Sequence, residues 1–396
     1  MPGEPEIDGE LVGPRPGEGL IVAPGLMEWR AYPPEYVLDD STISTLTLRV
    51  TVVEPSELGA PEAAVWAGFQ RTSPVMLSPF LSLTFTQVVG RARATARVAV
   101  VEDSGSIVAF LPFELSANRT GIPIGWPMND LQGFIGSDIR FDARSVARKA
   151  GLRGWRFDHA PAEQAVLAPH HYRGTEVHCP VIGLSQGYDA YLEAAGLVTG
   201  RAVRKRRAQR RAVEREIGGL SLDWSSSDPA HMRLMMDWKS GKYQASREFF
   251  SDRSAVQIME ELAATHNADC TGVLNVLSAG DRPVAVHFGI MGTQGLCWWF
   301  PTYDREMGRF SPGIILVMAV AEEAAARDIP SIDLGYGQDS WKFSLATRSY
   351  AVAGGGVWAT PFEAAARSLY RRLVYESPLR EWAGRLRVKR QARAAR

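Results

Sequence analysis

The sequence predicts an α/β protein of the α+β kind, with two related lobes, each a mixed, mainly antiparallel sheet flanked by helices. Three observations carry that prediction. A strand, turn, strand, turn, strand passage from Val98 to Asp130 recurs from Gly272 to Asp304, and a matched pair of β-meanders points to two related halves. Both copies close on the same punctuation, Trp-Pro-x-x-Asp at 126–130 and Phe-Pro-x-x-Asp at 300–304. Helical patterns alternate with strand patterns outside the meanders.

Residues 1–40 are rich in Gly, Pro and acid and read as a disordered arm. Residues 43–53 alternate and are β-branched, the pattern of a first strand. Helices follow at 57–71 and, after the break at Ser78-Pro79-Phe80, at 81–89. Beyond the first meander a helix is expected at 142–150 and a strand at 154–158. A helical hairpin at 189–217 carries a basic run on its second arm, and a strand at 220–224 ends the N-terminal lobe, 41–225. The C-terminal lobe, 226–361, opens with helices at 230–241 and 254–266. After its meander come a loop (302–311), a helix (312–327), a strand (331–334), a short helix (340–345) and a strand pair around Tyr350 and Val357. Pro312 at the first helical position, with Ser311 before it as a cap, is the start signal of the long helix. Gly354-Gly355-Gly356 reads as a turn or bulge in a late strand. The tail, 362–396, is helical and basic.

Composition excludes several classes. The chain has 396 residues, 45% of them hydrophobic and 22% charged, which is ordinary for a globular protein. Net charge is zero, but residues 1–40 hold nine acids and two bases, and residues 363–396 hold ten bases and three acids. Cys179, Cys270 and Cys297 are widely spaced, so neither a disulfide framework nor a CxxC metal site is expected. The acidic N-terminus is no secretory signal, and no apolar run reaches membrane-spanning length. A cytoplasmic enzyme or binding protein is the expectation. His170-His171 and His178-Cys179 lack zinc spacing. There is no GxSxG, Walker or GxGxxG motif.

Two features bear on ligands. Arg309-Phe310-Ser311-Pro312-Gly313 opens a helix whose free N–H groups and dipole favour an anion. Arg309 adds a cation and Gly313 permits close approach. It is either such a site or a capped helix start. The basic run, with Arg204 and Arg207, is either a solvated helix face or a clamp for the phosphates of a nucleotide- or lipid-linked acceptor. Nucleic acid lacks supporting aromatics. The C-terminal tail, with Leu373, Leu379, Trp382 and Leu386, offers either a contact for anionic membrane or a solvated end.

The order of three antiparallel strands, loop, helix, parallel strand, helix and final strands resembles the GNAT acyltransferases. Ser78-Pro79-Phe80-Leu81, Pro127-Met128-Asn129-Asp130-Leu131-Gln132-Gly133, and the run from Trp298 through Pro301, Tyr303-Asp304, Ser311-Pro312-Gly313 and Asp333-Leu334-Gly335 to Trp341-Lys342 resemble CelD/BcsL-type GNAT acetyltransferases of cellulose and exopolysaccharide production. These in turn resemble the double-GNAT FemAB/FemX aminoacyltransferases. The resemblance spans roughly 46–359. It implies two GNAT-like lobes around a cleft, no tightly bound cofactor, and acyl-CoA, acetyl-CoA included, as co-substrate. The implied acceptor is an amine or hydroxyl of a sugar or polysaccharide precursor. Aminoacyl transfer from aminoacyl-tRNA and a non-catalytic module in an exopolysaccharide assembly remain open beside it.

On that resemblance Arg309, Phe310, Ser311 and Gly313 hold the carrier's pyrophosphate. Asp304, ending the strand that lines the acyl site, is the base or caps a turn. His287, mid-strand, is an alternative base or a satisfied buried histidine. Tyr303 protonates a leaving thiolate or packs. Lys342 stabilises the reacting carbonyl or lies on the surface. Asp130, Gln132 and Trp298 contact the acceptor, Asp130 otherwise ordering a turn. The first lobe would then wall the cleft and grip the acceptor, and the second would be catalytic.

Overall fold

The β-branched run Leu48–Val53 (β1) opens the computed structural model, which describes residues 48–363 and 365 apart from 173, 200, 243 and 338. The expected arm and nearly all of the basic tail lie outside the described residues. In the first half α1 (Ala60–Gln70) and α2 (Leu83–Ala92) precede the meander β2 (Ala96–Asp103), β3 (Ser106–Leu115) and β4 (Thr120–Pro123). Then follow β5 (Ile135–Gly136), α3 (Ala143–Lys149), β6 (Gly154–Pro161) and β7 (Val177–Gly183). The helical hairpin is α4 (Tyr188–Ala194) and α5 (Arg201–Glu216), followed by β8 (Leu220–Asp223). Next come α6 (Pro229–Lys242), α7 (Gln244–Ser251), α8 (Arg253–Ala263) and the second meander β9 (Thr271–Ala279), β10 (Arg282–Gly292) and β11 (Gly295–Tyr303). The chain ends with α9 (Pro312–Ala326), β12 (Ser331–Asp333), α10 (Ser340–Phe343) and β13 (Arg348–Trp358).

Local chemistry explains the boundaries. Ser82, Asp142 and Asp252 accept backbone N–H bonds at the starts of α2, α3 and α8, satisfying donors that a helix leaves open. Along α9 the buried residues Leu316, Val317, Val320, Ala321 and Ala324 form the stripe that helical periodicity requires. Each buried Leu or Val there is worth roughly 1.5–3 kcal/mol.

The described strands form one 13-stranded sheet in the order β1-β2-β3-β4-β6-β13-β7-β12-β11-β10-β9-β8, with β5 off this path on β3. Only β4–β6 and β11–β12 pair in parallel; every other pair is antiparallel. Both meanders are therefore present, one on each side of the sheet's centre. One apolar cluster joins Trp66, Phe80 and Phe85 of the first half to Met235, Ile258 and Phe288 of the second. The opposite face is packed by α3 on the first half and by α4, α5 and α9 on the second.

The sheet does not divide at 225/226. Strand β8, expected to close the first lobe, pairs with β9 at the edge of the second half. Strand β7, unforeseen in the sequence, pairs with β12. The expected strand pair at the C-terminus is the single strand β13. Its first part, Arg348–Val352, pairs with β7, and its second, Val352–Trp358, with β6. Each half thus gives one strand to the seam between them. The glycines let β13 do this: the register shifts between Ala353 and Gly355, and a Cβ on Gly355 would run into the His170 carbonyl and the Phe157 ring. Gly355→Ala is expected to cost about 1–3 kcal/mol of stability, as overpacked cores do. Urea denaturation measures it, and an unchanged midpoint would contradict this packing of the seam.

Candidate active site

Strands β11 and β12 hold only two parallel pairs, Leu296↔Ile332 and Cys297↔Asp333. Beyond them the strands part, because β11 bulges: Phe288 faces Phe300 and Ile290 faces Cys297, so Trp298 and Trp299 together oppose Gly289. His287 holds the bulge. Its Nδ1 lies 2.8 Å from the Asn275 side-chain oxygen, and its Nε2 accepts the Trp299 backbone N–H at 3.1 Å. Asn275 in turn donates to the Trp224 carbonyl at 2.6 Å, so its oxygen is the acceptor and the His287 proton sits on Nδ1. The imidazole stacks on Trp298 with centroids 3.8 Å apart. Burial, with Lys239 nearby, holds the His287 pKa well below its ordinary value. A neutral ring with both nitrogens engaged has none left for an incoming proton, so His287 is a brace and not the base. Gly289 makes room for it, since a Cβ there would lie 2.5 Å from the His287 ring.

The first half closes over this opening. In the loop after β4, Asn129 donates to the Ile124 carbonyl (3.0 Å) and accepts from Leu131 N–H (2.8 Å). Gln132 ties the loop to β6 by donating to Asp158 (2.5 Å) and accepting from the Asp158 N–H (3.0 Å). Gln132 is buried and spent on these bonds, so it is a loop tie and not an acceptor contact. Trp299 Nε1 donates to the Met128 carbonyl at 2.8 Å, across the two halves. The loop thereby delivers Asp130 to Gly335, where a Cβ would stand 3.3 Å from its Oδ2. Gly335 has a φ of 68°, a conformation glycine supplies without strain.

The result is a pocket of about 280 Å³ lined by Pro127, Met128 and Asp130, by Phe249, by Trp298, Trp299 and Phe300, and by Leu334, Gly335, Tyr336 and Lys342. Burial pushes the Asp130 carboxyl up to about 6, with His159 opposing and Asp333 adding to the rise. Asp333 is also raised by burial, against the hydrogen bonds it accepts from Tyr350 hydroxyl (2.6 Å) and Gly335 N–H (2.9 Å). Lys342 is lowered by burial and donates to the Tyr336 carbonyl at 2.8 Å. Lys239, which no sequence motif marked, donates to the Pro301 carbonyl at 3.0 Å and is driven down to about 8 by burial, with Lys242 adding to the fall. An acid raised to about 6 beside two lysines lowered by burial is an arrangement found at reactive sites.

The other expected residues lie elsewhere. Asp304 caps the 3-10 turn Arg305–Phe310 by accepting from Glu306 N–H, and pairs with Arg282 at 2.5 Å, outside the pocket lining. It is the turn cap. Tyr303 lies against the start of α9, its ring 3.5 Å from where a Gly313 Cβ would stand, with Lys242 Nζ 4.8 Å from its centroid. The N-terminus of α9 follows the C-terminal end of β11, so it sits at the end where β11 and β12 part. Its surroundings differ from expectation. Arg309 is paired with Glu216 on α5 at 2.8 Å and lies over the buried Phe310, so it is no free cation. Ser311 does not cap with its side chain; it takes φ 56°, and its hydroxyl accepts from Gln209 of α5 at 2.9 Å. On α5, Arg204 is exposed, and Arg206 donates to Ser344 at 3.3 Å. The Arg207 side chain lies outside the described residues. No described helix is long and apolar enough to cross a membrane.

Replacing His287 by Leu strands a buried N–H and a buried amide oxygen, and should cost about 2–6 kcal/mol at the usual 1–3 kcal/mol per orphaned group. His287→Gln, which can still accept from Trp299, should recover part of that loss. Equal destabilisation by both in chemical denaturation would contradict the brace.

Residues 201–343, from α5 to α10, match the family model described as "Acetyltransferase (GNAT) domain". No curated protein sequence matches the chain. Among solved structures it is similar to a tandem GNAT protein from the clavulanic acid biosynthesis pathway (13% identity, 79% of this chain and 99% of that one, TM-score 0.47). It is also similar to a GCN5-related glucosamine N-acetyltransferase region of a fungal multi-domain β-N-acetylglucosaminidase (14%, 79% and 38%, 0.46) and to FemX (10%, 68% and 90%, 0.44). The family match spans the bulged strand, the crossover helix α9 and Lys342. Residues 201–343 match an acetyltransferase (GNAT) domain, and on that match the protein is an acyltransferase.

Proposed function

We propose that the protein moves an acetyl or other acyl group from acyl-CoA to an amine or hydroxyl of a sugar or surface-polysaccharide precursor, in the manner of the CelD/BcsL-type acetyltransferases its motifs resemble. The observation that carries this reading is the composite pocket, where Asp130 of one half meets Lys342 of the other at the parting of β11 and β12. The donor's phosphates lie at the N-terminus of α9, whose N–H groups and dipole favour anions. Its thioester reaches between the parted strands. Asp130 accepts the proton of the attacking amine or hydroxyl, a task suited to a carboxyl with a pKa near the working pH. The Lys342 ammonium faces the oxyanion that forms on the thioester carbonyl. Collapse of the tetrahedral intermediate breaks the carbon–sulfur bond, and Tyr303, beside the helix start, gives a proton to the departing thiolate. The reading puts the protein in the cytoplasm, with its donor. The exposed arginines of α5 favour a second donor, aminoacyl-tRNA, whose phosphates they could meet.

Calorimetry with acetyl-CoA tests the donor: micromolar binding is expected, and no binding up to millimolar concentration would sink the acyl-CoA reading. With acetyl-CoA and glucosamine as probes, kcat/KM is expected to rise with pH through about 6 and level off above, because the base must be ionised. Asp130→Asn should lower turnover on the order of 10²-fold or more and abolish that limb. Lys342→Met should lower kcat by roughly 10²-fold, whereas Asp304→Asn should stay near wild type. A fully active Asp130→Asn would remove Asp130 from the chemistry.

A further inference from the structure

Two aromatic rings stand exposed where the pocket meets solvent. Trp126 precedes Pro127 in the loop that carries Asp130 and is 38% exposed; Tyr336 follows Gly335 and is 46% exposed. Each has one covered face. The Arg156 guanidinium lies 5.5 Å from the Trp126 ring centroid, and the His159 ring lies 3.9 Å from that of Tyr336. Asp158 links the two plates: it accepts from Trp126 Nε1 at 3.2 Å, and its other oxygen is 3.2 Å from His159 Nδ1. The Trp126 backbone is fixed as well, since its carbonyl accepts from Arg93 at 2.7 Å. The rings are therefore held in place while staying partly exposed to solvent.

We propose that this platform is a second saccharide subsite, one that takes a sugar ring adjoining the ring to be acylated. The inference rests on the acyl-transfer reading for what sits in the pocket beside it. The chemistry selects the ligand. Arg156 and Asp158 cancel in charge, and Lys342, which donates to the Tyr336 carbonyl, is set against Asp130, so the platform has no surplus cation for a phosphate and no surplus anion for an ammonium group. A purely apolar ligand would strip water from both without replacing their hydrogen bonds. A neutral sugar ring meets each demand: its C–H face lies on the aromatic plates, and its hydroxyls reach the carboxylate and guanidinium at the edge. The acceptor is then an oligosaccharide or a growing glycan, bound across at least two units.

Calorimetry on the full chain with mono-, di- and tetrasaccharides of the β-1,4-linked glucosamine and glucose series tests the platform, with AMP as a nucleobase probe. At least one tetrasaccharide should bind about ten-fold tighter than its monosaccharide, in line with one stacked ring. Trp126→Ala should erase that advantage while leaving acetyl-CoA binding and monosaccharide turnover unchanged, and Tyr336→Ala should weaken tetrasaccharide binding too. Equal binding of mono- and tetrasaccharide, no saccharide binding in either series, full tetrasaccharide affinity in Trp126→Ala, or displacement by AMP at lower concentration would each overturn the proposal. Absence of acetyl-CoA binding with Trp126-dependent saccharide binding would instead overturn the donor reading and leave the subsite standing.

Discussion

The exchange of strands at the centre of the sheet is the constraint on which the rest depends. Because β13 lies between β6 and β7, and β7 lies beside β12, neither half can complete its sheet alone. That welds the two meanders into one surface. It also sets the loop after β4 opposite the gap where β11 and β12 part. The side-chain ties across the halves follow from that placement: Trp299 to the Met128 carbonyl, Thr84 to Asp269 at 2.8 Å, and Arg93, itself paired with Glu114 of its own half, to Asp252 at 3.2 Å. Arg93 is largely buried among these partners, so removing one would leave a poorly solvated charge, the costly case for an ion pair.

The two halves share a plan but use it differently. In the first, the opening between β4 and β6 is filled by its own loop, through Gln132 and Asp158. In the second, the bulge held by His287 keeps the corresponding opening clear, and the long helix α9 begins at its edge. One parting of parallel strands is thus plugged and the other is a pocket. The plug is also what carries Asp130 into its neighbour's site. Desolvation there raises the acid and lowers Lys342 and Lys239.

Much of the fold was legible because periodicity is local. The meanders, the hairpin at 188–216 and the start of α9 at Pro312 follow from alternation, helical spacing and proline placement. The seam was not legible. Pro180 in the middle of β7 argues against a strand, yet its neighbours pair on both sides, and three consecutive glycines in β13 mimic a turn. The site divided the same way. Trp298 and Lys342, which the surrounding motifs singled out, line the pocket, and alternation put His287 on the face opposite Val286 and Phe288. Its role was not visible, because Asn275 meets it only through the register of β9 with β10. Asp304 and Asp130 end matching aromatic-Pro-x-x-Asp passages but stand in different surroundings. Strand β11 runs on to Tyr303, leaving Asp304 at the far end as a turn cap, whereas β4 stops at Pro123 and frees the following loop to cross between the halves.

Amide hydrogen exchange with and without acetyl-CoA tests the central claim most directly, that the two halves build one reaction site where β11 and β12 part. Added protection is expected at 296–300, 312–316 and 334–342, together with the first-half loop at 127–131. Protection confined to the opening between β4 and β6, at 120–123 and 154–158, would contradict it.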